Sequence, residues 1–247
     1  MQHYFVSDVL SVGKVVSLPD NVSHHLSRVL RAQVGDSFEL VDQNQQVFQA
    51  AISQINGRVV TATITSALDR NVELPVETTI VSGLSKANKP ELIVQKATEL
   101  GVNRVIFLPM NRSIVKWDQK AAKKLTRLNE VALSAAEQSH RNQVPKVDYL
   151  SGLAALNQLS FDTKIVAYEE SAKIGEEANL VKAVRATKPG QSIVAVFGPE
   201  GGIDEGEVNL LVNNGYRLAG LGPRIMRTET APLYFLSAVS VLTELLS

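Results

Sequence analysis

Apolar and polar positions change rhythm once along this chain, near residue 70. Before it, the apolar runs are short and β-branched. Asp36 to Asp42, Val47 to Ser53 and Arg58 to Thr65 are rich in Val, Phe, Ile and Thr, and Val59 to Thr65 partly alternates apolar with polar, as a half-buried strand does. Asn56-Gly57 between two of these runs is a hairpin signal, because both residues tolerate positive φ. Pro19-Asp20 opens a short helix over Val22 to Leu30. The pattern predicts a small β-barrel with one helix.

Asp69 to Pro75 reads as a linker, and the rhythm after it is different. Strand-like runs at Thr78 to Ser82, Arg104 to Leu108, Lys164 to Tyr168, Ser192 to Phe197 and Tyr216 to Leu221 alternate with helical stretches. Those stretches are Pro90 to Leu100, Asp118 to Ser139, Ala178 to Thr187, Asp204 to Asn213 and Thr230 to Leu246. Such alternation predicts a mainly parallel sheet with helices on both faces. The expected division is 1–70 and 71–247. Ala231 to Leu246 is apolar on most sides, so its helix needs cover on more than one face.

Composition narrows the function. The chain has 247 residues, 45% of them apolar, and no cysteine. That excludes disulfides and thiolate metal sites and fits a reducing cytosol. No His-Glu-x-x-His cluster occurs, so no metal is expected. The N-terminus does not read as a signal peptide, and no apolar run is long enough to suggest a membrane span. Net charge is zero overall. Leu84 to Leu150, however, holds 12 Lys/Arg against 6 Asp/Glu, whereas Ser151 to Ser247 holds 8 against 11. A basic block in a neutral protein is either a phosphate footprint or a solvated helix face.

Two glycine-bearing segments carry the candidate chemistry. Phe197-Gly198-Pro199-Glu200-Gly201-Gly202 and Leu221-Gly222-Pro223-Arg224-Ile225-Met226-Arg227 each follow a strand-like run and precede a helical one. Ligands of open α/β sheets collect at the carboxyl ends of strands, and glycine lets backbone approach them closely. Neither segment is a dinucleotide or P-loop fingerprint, which disfavours a nicotinamide or nucleoside-triphosphate enzyme. A plain turn does not require Arg224, Arg227 and Glu229 together, and arginine suits phosphates, carboxylates or base carbonyls. Glu229 is either a helix N-terminal acid or a functional carboxylate. His24, Arg28 and Arg31 fall on one face of the predicted N-terminal helix, beside His25, and that face either touches phosphate or is ordinary surface. Glu137 and Arg141 are spaced to pair on a helix surface.

Taken in order, these patches resemble the ribosomal RNA small subunit methyltransferase E family. These are 16S rRNA uracil-N3 methyltransferases of the SPOUT superfamily that use S-adenosylmethionine. His24 to Arg31 followed by Gly35-Asp36 is similar to the family's N-terminal signature, and Lys96-Ala97-Thr98-Glu99-Leu100-Gly101-Val102 to an internal block. Arg112-Ser113, Ala136-Glu137-Gln138 with Arg141, and the two glycine segments match further patches. The chain departs from the pattern at His140 and Gln43, where glycine is expected, and at Met226, where leucine is usual.

The resemblance implies a C-terminal α/β domain with a deep trefoil knot, an N-terminal PUA-like barrel that helps bind RNA, and a cytoplasmic homodimer with active sites at the subunit interface. It implies that Phe197 to Gly202 and Leu221 to Arg227 hold the cofactor, and that Arg227, Glu229 and Arg224 serve the chemistry. His24, His25, Arg28, Arg31, Lys86, Arg112, Gln138 and Arg141 would contact 16S rRNA or the small subunit. Two alternatives stay open: a non-catalytic RNA-binding or ribosome assembly protein, and methylation at another RNA position.

Overall fold

The computed structural model describes residues 1–168 and 179–246. It divides into two compact units, Met1–Glu73 with Ala136–Gln143, and Leu74–Ala135 with Val144–Ser247.

The first unit is built on a five-stranded sheet. Its strands are β1 (His3–Phe5), β2 (Val15–Ser17), β3 (Ser37–Val41), β4 (Val47–Asn56) and β5 (Val59–Leu68), in the order β1-β3-β4-β5-β2. β1 runs parallel to β3, and the other pairs are antiparallel. β4 and β5 form the hairpin read from Asn56-Gly57. Asn56 stays in the strand opposite Val59, and Gly57 takes the turn with φ 63°. Two register shifts, at Gln49/Ala50 and Ile52/Gln54, mark β-bulges.

Phe38, Leu40, Ile52 and Ile64 meet Val22 and Leu26 in one apolar core. The helix carrying Val22 begins at Asp20 and becomes a π-helical turn over His25–Val29. Arg31 lies beyond it with φ 54°, so His24, Arg28 and Arg31 do not share a regular helical face as their spacing suggests. Buried Ser23 ties the helix to its unit, donating to the Leu18 carbonyl and accepting from the Val60 N–H.

The second unit holds a six-stranded, all-parallel sheet: β6 (Glu77–Gly83), β7 (Arg104–Leu108), β8 (Lys146–Tyr149), β9 (Thr163–Ala167), β10 (Ser192–Phe197) and β11 (Arg217–Ala219). The order is β11-β9-β10-β6-β7-β8. Successive residues of one strand feed opposite layers. Ile80, Phe107, Ile193 and Ala195 pack with Ile93, Phe235 and Leu236, while Val81, Ile106, Val194 and Val196 pack with Leu156, Val208 and Leu211. The helices Lys89–Glu99 and Ala231–Ser240 therefore cover one face, and Leu153–Leu156 and Glu205–Asn213 the other.

The Glu205–Asn213 helix starts with a capping box. The Asp204 side chain caps the first turn, and Glu207 reaches back to the Asp204 N–H. Of the helix read over Ala178 to Thr187, Ala178 lies outside the described residues, and the helix runs Asn179–Ala186. The C-terminal helix is α-helical over Ala231–Ser240 and π-helical over Val241–Leu245. Among the described residues, no helix is long and apolar enough to cross a membrane.

Candidate functional site

The carboxyl ends of β9, β10 and β11 lie side by side, because these strands are neighbours and parallel. The segments leaving them enclose a cavity of about 950 Å³, within the usual range for small-molecule sites. Its wall includes Ala167 ending β9 and Tyr168 after it, Phe197 ending β10 and Gly198 to Ile203 after it, and Leu221 to Thr228 after β11. All thirteen residues read as cofactor-binding in the two glycine segments line it.

The glycines are sterically required at this wall. A Cβ on Gly198 would lie 2.8 Å from the Gly202 carbonyl carbon and 2.9 Å from the Ile203 N, and one on Gly201 would press on Arg112. Gly202 and Gly222 adopt φ of 74° and 88°, where a side chain is strained. The loop also leans on the sheet, since a Cβ on Gly83 at the end of β6 would meet Pro199 at 2.6 Å.

The charges around the cavity divide into engaged and open ones. Lys89 lies 3.1 Å from Glu200 Oε1 and 3.3 Å from Glu229 Oε2. The Glu229 contact is a charge contact rather than an aligned hydrogen bond, since that buried oxygen has no hydrogen-bond partner among the described residues. Burial opposes ionisation of Glu200, but the Lys86 and Glu200 N–H groups and the Lys89 ammonium outweigh it and hold the carboxyl below its ordinary range. Burial likewise opposes charge on Lys89, and the two carboxylates overcome it and raise its pKa. By contrast, the side chains of Arg224 and Arg227 are exposed and engage no partner among the described residues. Thr230 and Ala231 both donate to the Arg227 carbonyl, which fixes the backbone while leaving the guanidinium free to reach the cavity it lines.

Sequence reasoning singled out neither Lys89 nor Tyr168. Lys89 hides as an ordinary lysine at the start of a helix, three residues after Lys86, and Tyr168 as the last residue of an apolar run. Arg112, read as an RNA contact, is part of the cavity wall and donates to the Gly201 carbonyl at 3.2 Å. Lys86 is exposed beside the same loop, its N–H donating to Glu200.

The other expected RNA contacts belong to the first unit. His24, Arg28, Arg31 and Gln138 are exposed, and His25 is half-buried with Nδ1 2.9 Å from the Tyr4 hydroxyl. Arg141 is placed differently from these. It is 3% exposed, and its guanidinium grips Glu73 through Nε and Nη2, so it is packed in an ion pair. Half-buried Glu137 is pushed up to about 7 by burial.

A second charged cluster surrounds Glu39 in β3. Arg70 donates to both carboxylate oxygens, at 3.1 and 2.6 Å. His140 Nδ1 donates to Oε2 at 2.9 Å, and His3 Nδ1 faces the same oxygen at 2.9 Å. His3 Nε2 donates to the Arg141 carbonyl at 2.8 Å. Burial opposes ionisation of Glu39, yet Arg70, His3 and His140 hold its carboxyl down to about 2. Two histidines and a glutamate could ligate a metal, but the Arg70 guanidinium already supplies the counter-charge on both oxygens. His140 has φ 56°, the left-handed region that explains why glycine is expected there.

Comparison with known proteins finds two domain families along the chain. Residues 72–240 match an RNA methyltransferase domain family and residues 18–66 an RNA methyltransferase PUA domain family. A ribosomal RNA small subunit methyltransferase E from Bacillus subtilis is 40% identical, over 100% of this chain and 98% of its own. A ribosomal RNA small subunit methyltransferase E from Neisseria gonorrhoeae, solved bound to S-adenosylmethionine, superposes with a TM-score of 0.86 at 33% identity over 98% of each chain. A methyltransferase from Legionella pneumophila, also solved with bound S-adenosylmethionine, gives 0.84 at 27% identity over 97% of each.

Proposed function

This chain belongs to the ribosomal RNA small subunit methyltransferase E family, and on that premise we propose that it transfers a methyl group from S-adenosylmethionine to N3 of one uridine in 16S rRNA. The observation that carries the reading is the β9–β11 cavity, glycine-walled on one side and edged by two open arginines. Its volume and its closely approaching backbone fit a ligand of S-adenosylmethionine's size. When bound, S-adenosylmethionine supplies an already activated methyl group on a sulfonium.

The protein's own task is placement and charge. The backbone of Gly198 to Gly202 and of Leu221 to Met226 would hold the adenosine and methionine parts through N–H and carbonyl groups. Uracil N3 carries a proton and attacks poorly until that proton has passed to solvent, and the charge left behind spreads onto the ring carbonyl oxygens. Arg227, or Arg224, would stabilise that charge at a carbonyl oxygen. The wall would exclude water and align N3 with the methyl group. The pyrimidine would leave its stack to enter.

The exposed His24, Arg28, Arg31, Lys86 and Gln138, with half-buried His25 beside them in the first unit, would contact RNA phosphates, with Arg112 at the cavity mouth. Arg141 would support them from beneath. We carry the PUA-like barrel, the trefoil knot and a cytoplasmic location as parts of this reading, on family membership. A homodimer is part of it too. Ile225 and Leu245 are 77% and 74% exposed, apolar surface that a second copy would cover.

The test is methyl transfer from labelled S-adenosylmethionine to small ribosomal subunits lacking base methylation, followed by nucleoside analysis. Labelled 3-methyluridine is expected. A different methylated nucleoside would move the reaction to another position, and binding of subunits with no transfer would favour a non-catalytic assembly role.

A further inference from the structure

Lys89 stands where the segments that follow three strands meet. It opens the Lys89–Glu99 helix just after β6, while Glu200 belongs to the loop after β10 and Glu229 to the segment after β11. Its ammonium touches both carboxylates, at 3.1 and 3.3 Å. The same Glu200 oxygen accepts the Lys86 N–H at 3.1 Å. One short loop thus presents a backbone donor and an ammonium to a single carboxylate, and the ammonium reaches on to a second.

That loop is shaped for the purpose at a cost. Ala87, between Lys86 and Lys89, has φ 57°, a region that residues with a Cβ rarely adopt. The three side chains are shielded, with Lys89 23% and Glu229 18% exposed, so the contacts are screened less than those of a surface pair. Lys89 also lines the cavity itself.

We propose that Lys89 is a positioning residue: its ammonium, shared by Glu200 and Glu229, sets the spacing of the two glycine loops and so the shape of the cavity between them. Glu229 acts through this contact. Its buried oxygen is engaged with Lys89, so it tethers the second loop rather than taking a proton from the substrate. The inference rests on the cofactor reading above for its functional meaning, and its structural content stands apart from it.

Two measurements on the full chain test it. The first is amide hydrogen exchange in the ligand-free protein, comparing wild type, Lys89→Met and Lys89→Arg. Lys89→Met is expected to speed exchange about tenfold at Gly202, Thr230 and Ala231, whose N–H groups are hydrogen-bonded within the two loop segments, with β7 unchanged, and Lys89→Arg to recover most of the protection. Unchanged exchange at these three amides, or equal acceleration throughout the sheet, would overturn the proposal.

The second measurement is S-adenosylmethionine binding by calorimetry. Lys89→Met is expected to raise Kd about tenfold and Lys89→Arg to stay within about threefold of wild type. Glu229→Gln should weaken binding in wild type but add little in the K89M background. Equal losses in both backgrounds would show that Glu229 does not act through Lys89. Loop loosening together with a wild type that binds no S-adenosylmethionine would leave the strut intact and sink the cofactor reading instead. If Lys89→Met does not fold, Glu229→Gln alone must speed exchange at Thr230 and Ala231 for the proposal to stand.

Discussion

The Glu39 cluster of the first unit and the cavity of the second use charge in opposite ways. Around Glu39 the polar groups face inward and meet one another: one carboxylate takes Arg70, His3 and His140, and Glu73 takes Arg141 nearby in the same unit. At the cavity, Lys89 is held by two carboxylates, but Arg224 and Arg227 are left exposed with no side-chain partner among the described residues. A buried charge without partners is costly, and in this cluster each charge is met by another within the protein itself. An arginine held by its backbone and left open at the edge of a glycine-walled cavity is free to take a partner from outside. The contrast separates charges that satisfy one another from charges left open at a cavity, although both sets draw on Arg and Glu.

The largest expected effect breaks the inward cluster. Glu39→Ala leaves Arg70, His3 and His140 facing one another without their counter-charge, and it should destabilise the first unit by about 3–5 kcal/mol. Faster hydrogen exchange in β3 and β4, with the cavity loops unchanged, is the expected readout. Exchange in β3 like that of wild type would make the cluster ornamental.

Next comes the open arginine. Arg227→Ala should lower turnover about 10²-fold while S-adenosylmethionine affinity stays within about threefold, and it should leave thermal stability nearly untouched. Equal losses of affinity and turnover would make Arg227 a binding residue and blur the contrast.

The smallest effect concerns Glu137, a partly buried carboxyl that sits beside Tyr4 without joining the cluster. Its carboxyl is raised from 4.5 to about 7 by burial, so the folded first unit holds a proton that the unfolded chain gives up. The resulting stabilisation is complete below about pH 4.5 and is lost as pH rises through about 7. The calorimetric midpoint of wild type should therefore fall over that window relative to Glu137→Gln, which lacks the titration. Parallel pH profiles for the two proteins would show that burial does not hold that proton.

Local pattern alone determined a good deal here. Arg104–Leu108 and Ser192–Phe197 are strands with the ends their apolar runs suggest, because a continuous apolar run bounded by polar residues is what a doubly covered parallel strand requires. The two glycine segments were legible for a similar reason: glycine, proline and charge crowded after a strand leave few other uses. The short strands β1, β2 and β8 were not legible, because three or four residues carry too little periodicity and are held by their neighbours.

Only the tertiary structure decided the fate of individual charges. Glu39 finds Arg70 31 residues away and His140 101 away, and Arg141 turns inward to Glu73. Lys89 meets Glu200 and Glu229 only because parallel strands bring β6, β10 and β11 to end on the same edge of one sheet. Hydrophobic pattern records which face of an element is buried, a property of neighbours along the chain. Whether a charge is spent on a partner or kept for a ligand depends on what distant segments bring to it.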